Sequence, residues 1–150
     1  MALRGLGPGP IPTYIDLCPG QSVKDPRVSK LQAKLAELVE TTTGAEGAAL
    51  IDIGTGMTLA QAGTPGFDLD VAAQGFATAV RYQLRTISDL GLTELAEGML
   101  VSQGSHHHIF AVRTTDNREG LLVYLAVRRD GATLSTARRR VAMLASRLPA

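Results

Sequence analysis

The segment SHHHIFAVRTTDNREGLLVYLAVRRDG, Ser105 to Gly131, decides how the rest of the chain is read. Two apolar runs flank a short polar turn at Asp116-Asn117-Arg118, and the second run is apolar without a break from Leu121 to Val127. An amphipathic helix would interrupt such a run every three or four residues. A strand covered on both faces has no reason to. The spacing therefore predicts two strands joined by a short turn, the second at the centre of a sheet, with Asp130-Gly131 ending it.

Working outward, LTELAEGMLVSQG, Leu92 to Gly104, predicts a third strand that turns at Gln103-Gly104 into the first two. After the meander a helix is expected from Thr133 or Ser135. Its Leu134, Ala137, Val141, Leu144, Ala145 and Leu148 face inward, Arg138, Arg139, Arg140 and Arg147 lie mostly outside, and Pro149 ends it. Before the meander, Asp68 to Leu90 reads as a long helix. Val71, Ala72, Gly75, Phe76, Ala79, Val80, Gln83, Leu84 and Ile87 form its apolar stripe, which is rich in small residues and open to close packing by a second helix. GAALIDIGTGMTLAQAG, Gly47 to Gly63, is a hairpin around Gly54-Thr55-Gly56. The first helix carries Val28, Leu31, Leu35, Leu38 and Val39 on one side, with Asp25 as N-cap, Pro26 at its first position and Gly44 as its stop. The order is α-β-β-α-β-β-β-α. That makes an α+β fold, a five-stranded, mainly antiparallel sheet with helices on both faces.

Residues 1–26 hold five of the seven prolines and show no lasting periodicity, so they read as an extension ahead of a domain spanning 27–150. Within the extension, PTYIDL is apolar enough to dock as an added edge strand. The 150 residues suit one domain with a real core. A net charge of +1 gives no bulk attraction to nucleic acid or acidic lipid. Tryptophan is absent, with three Tyr and three Phe, which speaks against a base-stacking platform. One cysteine, Cys18, allows no internal disulfide, and neither a signal peptide nor an apolar run of about 20 residues is present, so a cytoplasmic setting without membrane insertion is expected.

Several motifs invite a chemical reading. Ile51 to Gly63, IDIGTGMTLAQAG, resembles the first phosphate loop of the actin, hexokinase and sugar-kinase superfamily. That resemblance would put Asp52 near a metal and the Gly54 and Gly56 amides on phosphate, with Thr55 between them. Such a fold needs a second hairpin of this type and more than twice the length, so a plain turn is the expectation here. His106 and His108 share one face of a strand and His107 points away. Without further His or Cys to complete a metal site they read as partly exposed strand residues. Ser102 and Ser105 lie near the histidines with no carboxylate to orient them, and Glu94 and Glu97 would point to opposite faces of a strand. Arg138 to Arg140, with Arg128 and Arg129, read as solvated side chains whose stems cover apolar surface. No catalytic residue, cofactor site or metal site is expected, and the chain is not read as an enzyme.

The succession of hairpin, long small-residue helix, meander and amphipathic last helix over about residues 27–148 resembles the roadblock, or dynein-light-chain-type, domain family in a bacterial form. Bacterial relatives usually carry Asp-Gly at the first hairpin, where this chain has Gly54-Thr55-Gly56. The resemblance implies a homodimer formed through the second helix and third strand, with Ala72, Gly75, Phe76, Ala79, Val80, Gln83, Leu95, Met99 and Val101 at the interface. It also implies a Ras-like small GTPase as partner, whose GTP hydrolysis or localisation the dimer modulates. The outward residues Arg81, Tyr82, Arg85 and Asp89 are the expected partner-binding surface. A structural dimerisation scaffold without effect on GTP turnover is one alternative, and a nucleotide-binding enzyme using the Asp52–Gly56 hairpin is the other.

Overall fold

A computed structural model describes residues 26–131 and 133–148. The Asp25 cap, the PTYIDL segment, Cys18 and Pro149 lie outside them. The elements are α1 (Pro26–Thr41), β1 (Ala45–Asp52), β2 (Thr58–Gly63), α2 (Leu69–Asp89), β3 (Gly98–Ser102), β4 (His106–Thr114), β5 (Gly120–Arg128) and α3 (Leu134–Ser146). The strands form one antiparallel sheet in the order β2-β1-β5-β4-β3. β5 is its middle strand, and Leu121 to Val127 are all buried, as an unbroken apolar run requires.

α1 and α3 share one face of the sheet. Val28, Leu31, Leu35 and Leu38 of α1, and Ala137, Val141 and Ala145 of α3, close on Leu50, Ile109, Leu121, Val123 and Leu125. α2 covers the other face, where Leu69, Ala73, Ala77, Val80 and Leu84 meet Ala49, Ile51, Ile53, Leu122 and Tyr124. Each buried leucine or valine contributes about 1.5–3 kcal/mol, so the two half-cores are what hold the helices on the sheet. α2 starts where Asp68 caps it, accepting from the Asp70 amide at 2.8 Å.

The buried stripe of α2 differs from the sequence reading. Ala73 and Ala77 are fully buried, whereas Val71 is 68% exposed. A helix on a sheet buries one narrow line, and the small residues let α2 approach the sheet closely along 69-73-77-80-84. Val80 therefore belongs to its own core, 2% exposed, and does not face outward.

The third strand is also shorter than its apolar pattern predicts. It covers only Gly98–Ser102, and residues 92–97 are irregular. Asn117 explains this. Buried in the β4–β5 turn at φ 55°, it accepts from the Ala96 amide at 2.9 Å through Oδ1 and donates to the Glu94 carbonyl at 2.8 Å through Nδ2. The backbone groups that a longer strand would offer to a ladder are bound by that one side chain. Leu95 and Glu94 therefore lie in a loop, and the opposite-face argument for Glu94 and Glu97 does not apply.

Candidate functional site

The Gly54-Thr55-Gly56 turn is closed by its own atoms. The Thr55 hydroxyl donates to Asp52 Oδ2 at 2.6 Å, and the Gly56 amide donates to the Asp52 carbonyl at 2.8 Å. Gly56 has φ 75° and sits against α2, where an added Cβ would lie 3.4 Å from the Gln74 Cα. Of the two amides a phosphate would need, that of Gly56 is engaged by the Asp52 carbonyl, and its Cα side is closed by the helix. The turn thus seats α2 on the hairpin instead of forming an open anion cradle. Asp52 is 4% exposed, and its Oδ1 has no hydrogen-bond partner among the described residues.

The histidines divide as their alternation predicts, but His108 is buried where partial exposure was expected. Its Nδ1 lies 2.6 Å from the Tyr124 hydroxyl and its Nε2 2.6 Å from Gln103 Oε1. An amide oxygen only accepts, so Nε2 carries the proton and Nδ1 accepts from the phenol. Burial lowers the His108 pKa, with His106 and His107 adding to the effect, and burial pushes the Tyr124 phenol well above its ordinary range. Both groups are therefore neutral at pH 7. His106 Nε2 meets Glu46 Oε1 at 2.5 Å, and His107 Nδ1 meets the Ser102 hydroxyl at 2.8 Å. These two contacts tie β4 to β1, across β5, and to the adjacent β3. Among the described residues no group of three or more His, Cys, Asp or Glu side chains is placed to hold a metal ion.

The feature without an internal explanation is the flank of α2 together with the β3 edge. Phe76 packs its ring 4.7 Å from Phe110, 5.2 Å from His108 and 5.3 Å from Tyr124, and remains half-buried. Ala72 and Met99 also pack against this half-core while still partly exposed. Gly75 is exposed, and a Cβ there would meet nothing within 4 Å. Ala79 is half-buried and Gln83 exposed. Among the described residues β3 ends the sheet with one side unpaired, and its register sets Met99 opposite Phe110 and Val101 opposite His108, on the α2 face. Val101 is 37% exposed and Leu95 is 47% exposed. An unpaired strand edge beside partly exposed apolar side chains is a surface that associates readily.

Of the residues expected to meet a partner, Tyr82 is exposed, and Arg85 and Asp89 form a solvent-facing pair at 3.9 Å. Arg81 departs from the expectation. It is half-buried and folds back, donating to the Ile53 carbonyl at 2.6 Å and to the Thr78 hydroxyl at 2.9 Å. It thus holds α2 to the hairpin. The sequence reading passed over Leu90 and Leu92, both strongly exposed after α2. Their place directly after the helix, flanking Gly91, is the only signal in the sequence that could have marked them.

Solved structures share this architecture. A Roadblock/LC7 domain from Streptomyces avermitilis matches with a TM-score of 0.66 at 14% identity, over 77% of this chain and 91% of that one. Myxococcus xanthus MglB matches with a TM-score of 0.69 at 15% identity, over 81% and 86% of the two chains. A structure described as MglB with tetrameric arrangement matches at 0.63 and 19% identity, over 80% and 88%. No protein-family model matches the sequence, and no curated protein does. The fold is that of a roadblock/LC7 domain.

Proposed function

We propose that the chain is a non-catalytic regulatory module that works as a homodimer and binds a Ras-like small GTPase, modulating its GTP hydrolysis or its localisation. The observation that carries this reading is the incomplete surface along α2 and β3, where Phe76 and Met99 pack on the core yet stay partly exposed beside a strand edge unpaired among the described residues. A two-fold partner would pair β3 with β3 and set α2 against α2, extending the sheet and removing its open edge. Gly75 and Ala79 would permit close helix approach. The fold supports this reading, and the tetrameric arrangement named for one similar structure supports self-association.

In the dimer the outward residues Tyr82, Arg85 and Asp89, with Leu90 and Leu92, form the surface that meets the GTPase. No helix among the described residues is long and apolar enough to cross a membrane, in keeping with a module that reaches its target by protein contact. Single-turnover GTP hydrolysis by a candidate Ras-like GTPase, measured with and without this protein, tests the reading. The rate changes, and Tyr82→Ala reduces the change. A complex that forms while the rate stays constant leaves a scaffold. Direct micromolar binding of ATP or GTP to this protein alone would overturn the reading in favour of the Asp52–Gly56 hairpin.

A further inference from the structure

On the side of the sheet away from α2, the helices α1 and α3 leave a groove between them. It encloses about 210 Å³ and is lined by Lys34, Glu37, Leu38 and Thr41 of α1, and by Arg140, Met143, Leu144 and Arg147 of α3 and its C-cap. The base is apolar, with Leu38 buried and Leu144 half-buried, while Met143 stands 47% exposed. Cations stand on both walls. None of the ion pairs formed among the described residues involves Lys34, Arg140 or Arg147.

The groove itself is lined by three cations, Lys34, Arg140 and Arg147, against one carboxylate, Glu37. The outer faces of α1 and α3 carry Lys30, Lys34, Arg138, Arg139, Arg140 and Arg147 against Glu37 and Glu40, although the whole chain has a net charge of only +1. Arginine stems covering apolar surface account for one exposed guanidinium. They do not account for cations on two facing helices, without an ion pair among the described residues, around an exposed methionine.

We propose that this groove is a docking site for an acidic amphipathic helix of a partner protein, independent of the α2 and β3 surface. The lined stretch runs from Lys34 to Thr41 and from Arg140 to Arg147. Eight residues, seven rises of 1.5 Å, span about 10 Å, enough for about two turns of a bound helix. Apolar side chains on one stripe of that helix rest on Leu38, Met143 and Leu144, and methionine adapts its shape to such anchors. Carboxylates beside the stripe meet Lys34, Arg140 and Arg147, the two arginines through paired donors. A flat anionic bilayer fits less well, because it would touch the rims and leave the apolar base uncovered.

The test uses the full chain and a fluorescein-labelled probe peptide of about four helical turns, with leucine on one stripe and glutamate elsewhere. A second peptide replaces each glutamate by lysine. By fluorescence anisotropy the glutamate peptide binds at least about tenfold tighter than the lysine peptide, and its affinity falls as salt rises. The double variant Lys34→Glu/Arg140→Glu loses at least about tenfold, and Met143→Ser also weakens binding. Arg138→Glu, exposed and not lining the groove, stays within about twofold. Thermal melts by circular dichroism show that the variants fold.

Absence of binding by the glutamate peptide, or equal binding by the lysine peptide, overturns the proposal. So does a double variant that binds as the wild type does. Three outcomes assign the groove elsewhere and equally overturn it. Capture by phosphatidylserine vesicles, lost in the double variant while the peptide does not compete, makes it a membrane surface. A shift in oligomeric state in the double variant makes it a contact between copies. Tighter peptide binding when Tyr14 and Ile15 are replaced by serine gives the groove to the chain's own N-terminal segment.

Discussion

Replacing Ala79 by glutamate separates folding from dimerisation. Ala79 lies on the flank of α2, half-buried, in line with Gly75, Phe76 and Gln83 and off the stripe that meets the sheet. In a lone protomer the new side chain runs out to solvent. Its cost is the small difference in helix propensity, a few tenths of a kcal/mol, so Tm should move by less than about 2 °C. In the proposed dimer the symmetry places the carboxylate in the interface twice. Each uncompensated buried charge costs about 3–5 kcal/mol, so the pair costs about 6–10 kcal/mol. At 1.4 kcal/mol per factor of ten, the dimer Kd rises by at least about four decades. Sedimentation velocity over a wide concentration range reads this directly, with Arg139→Glu on α3 as a control. A wild type that sediments as a monomer at high concentration refutes the reasoning, and so does an Ala79→Glu variant that stays dimeric.

Three further expectations follow from the same geometry. Val80→Asp, one residue along, sets a carboxylate against Tyr124 and its neighbours in the protomer's own core, so it should abolish folding or cost about 3–5 kcal/mol in urea unfolding, unlike Ala79→Glu. Asn117→Ala removes both hydrogen bonds to the 94–96 backbone and leaves alanine at φ 55°. It should lower stability by about 2–3 kcal/mol, with amide exchange rising most in residues 92–97. His108 has a folded pKa below its unfolded value of about 6.5, so the unfolded chain binds the proton first. Stability should be full above about pH 6.5 and decline as pH falls from there toward the folded pKa, and His108→Gln should flatten that slope in urea midpoints measured across the window.

The order of elements and the fold class were legible in the chain because they rest on periodicity, and periodicity is local. The apolar run of β5, the 3.6-residue spacing of α1 and α3, and the Gly56 turn each follow from the nearest neighbours in sequence. Where local pattern and tertiary demand competed, the pattern misled. Residues 92–97 alternate like a strand, but Asn117, 21 residues from Ala96, binds their backbone first. His108 looked half-exposed because the sequence does not show Phe76, Phe67 and Tyr124 arriving around it from α2, the loop before α2 and β5.

The same division holds for function. By itself the sequence determined that α2 has an apolar stripe with small residues. It could not say which of Ala72, Ala73, Gly75, Ala77, Ala79 and Val80 meet the sheet and which remain available, since a shift of about 100° per residue separates neighbours around a helix. Only docking on the sheet resolved that, sending Ala73, Ala77 and Val80 inward and leaving Gly75 and Ala79 on the flank. The cations of α1 and α3 are likewise plain in the sequence, as two solvated helix faces far apart along the chain. That they become the two walls of one groove is decided by both helices lying on the same face of the sheet, where long-range packing, not local propensity, fixes which side chains become neighbours.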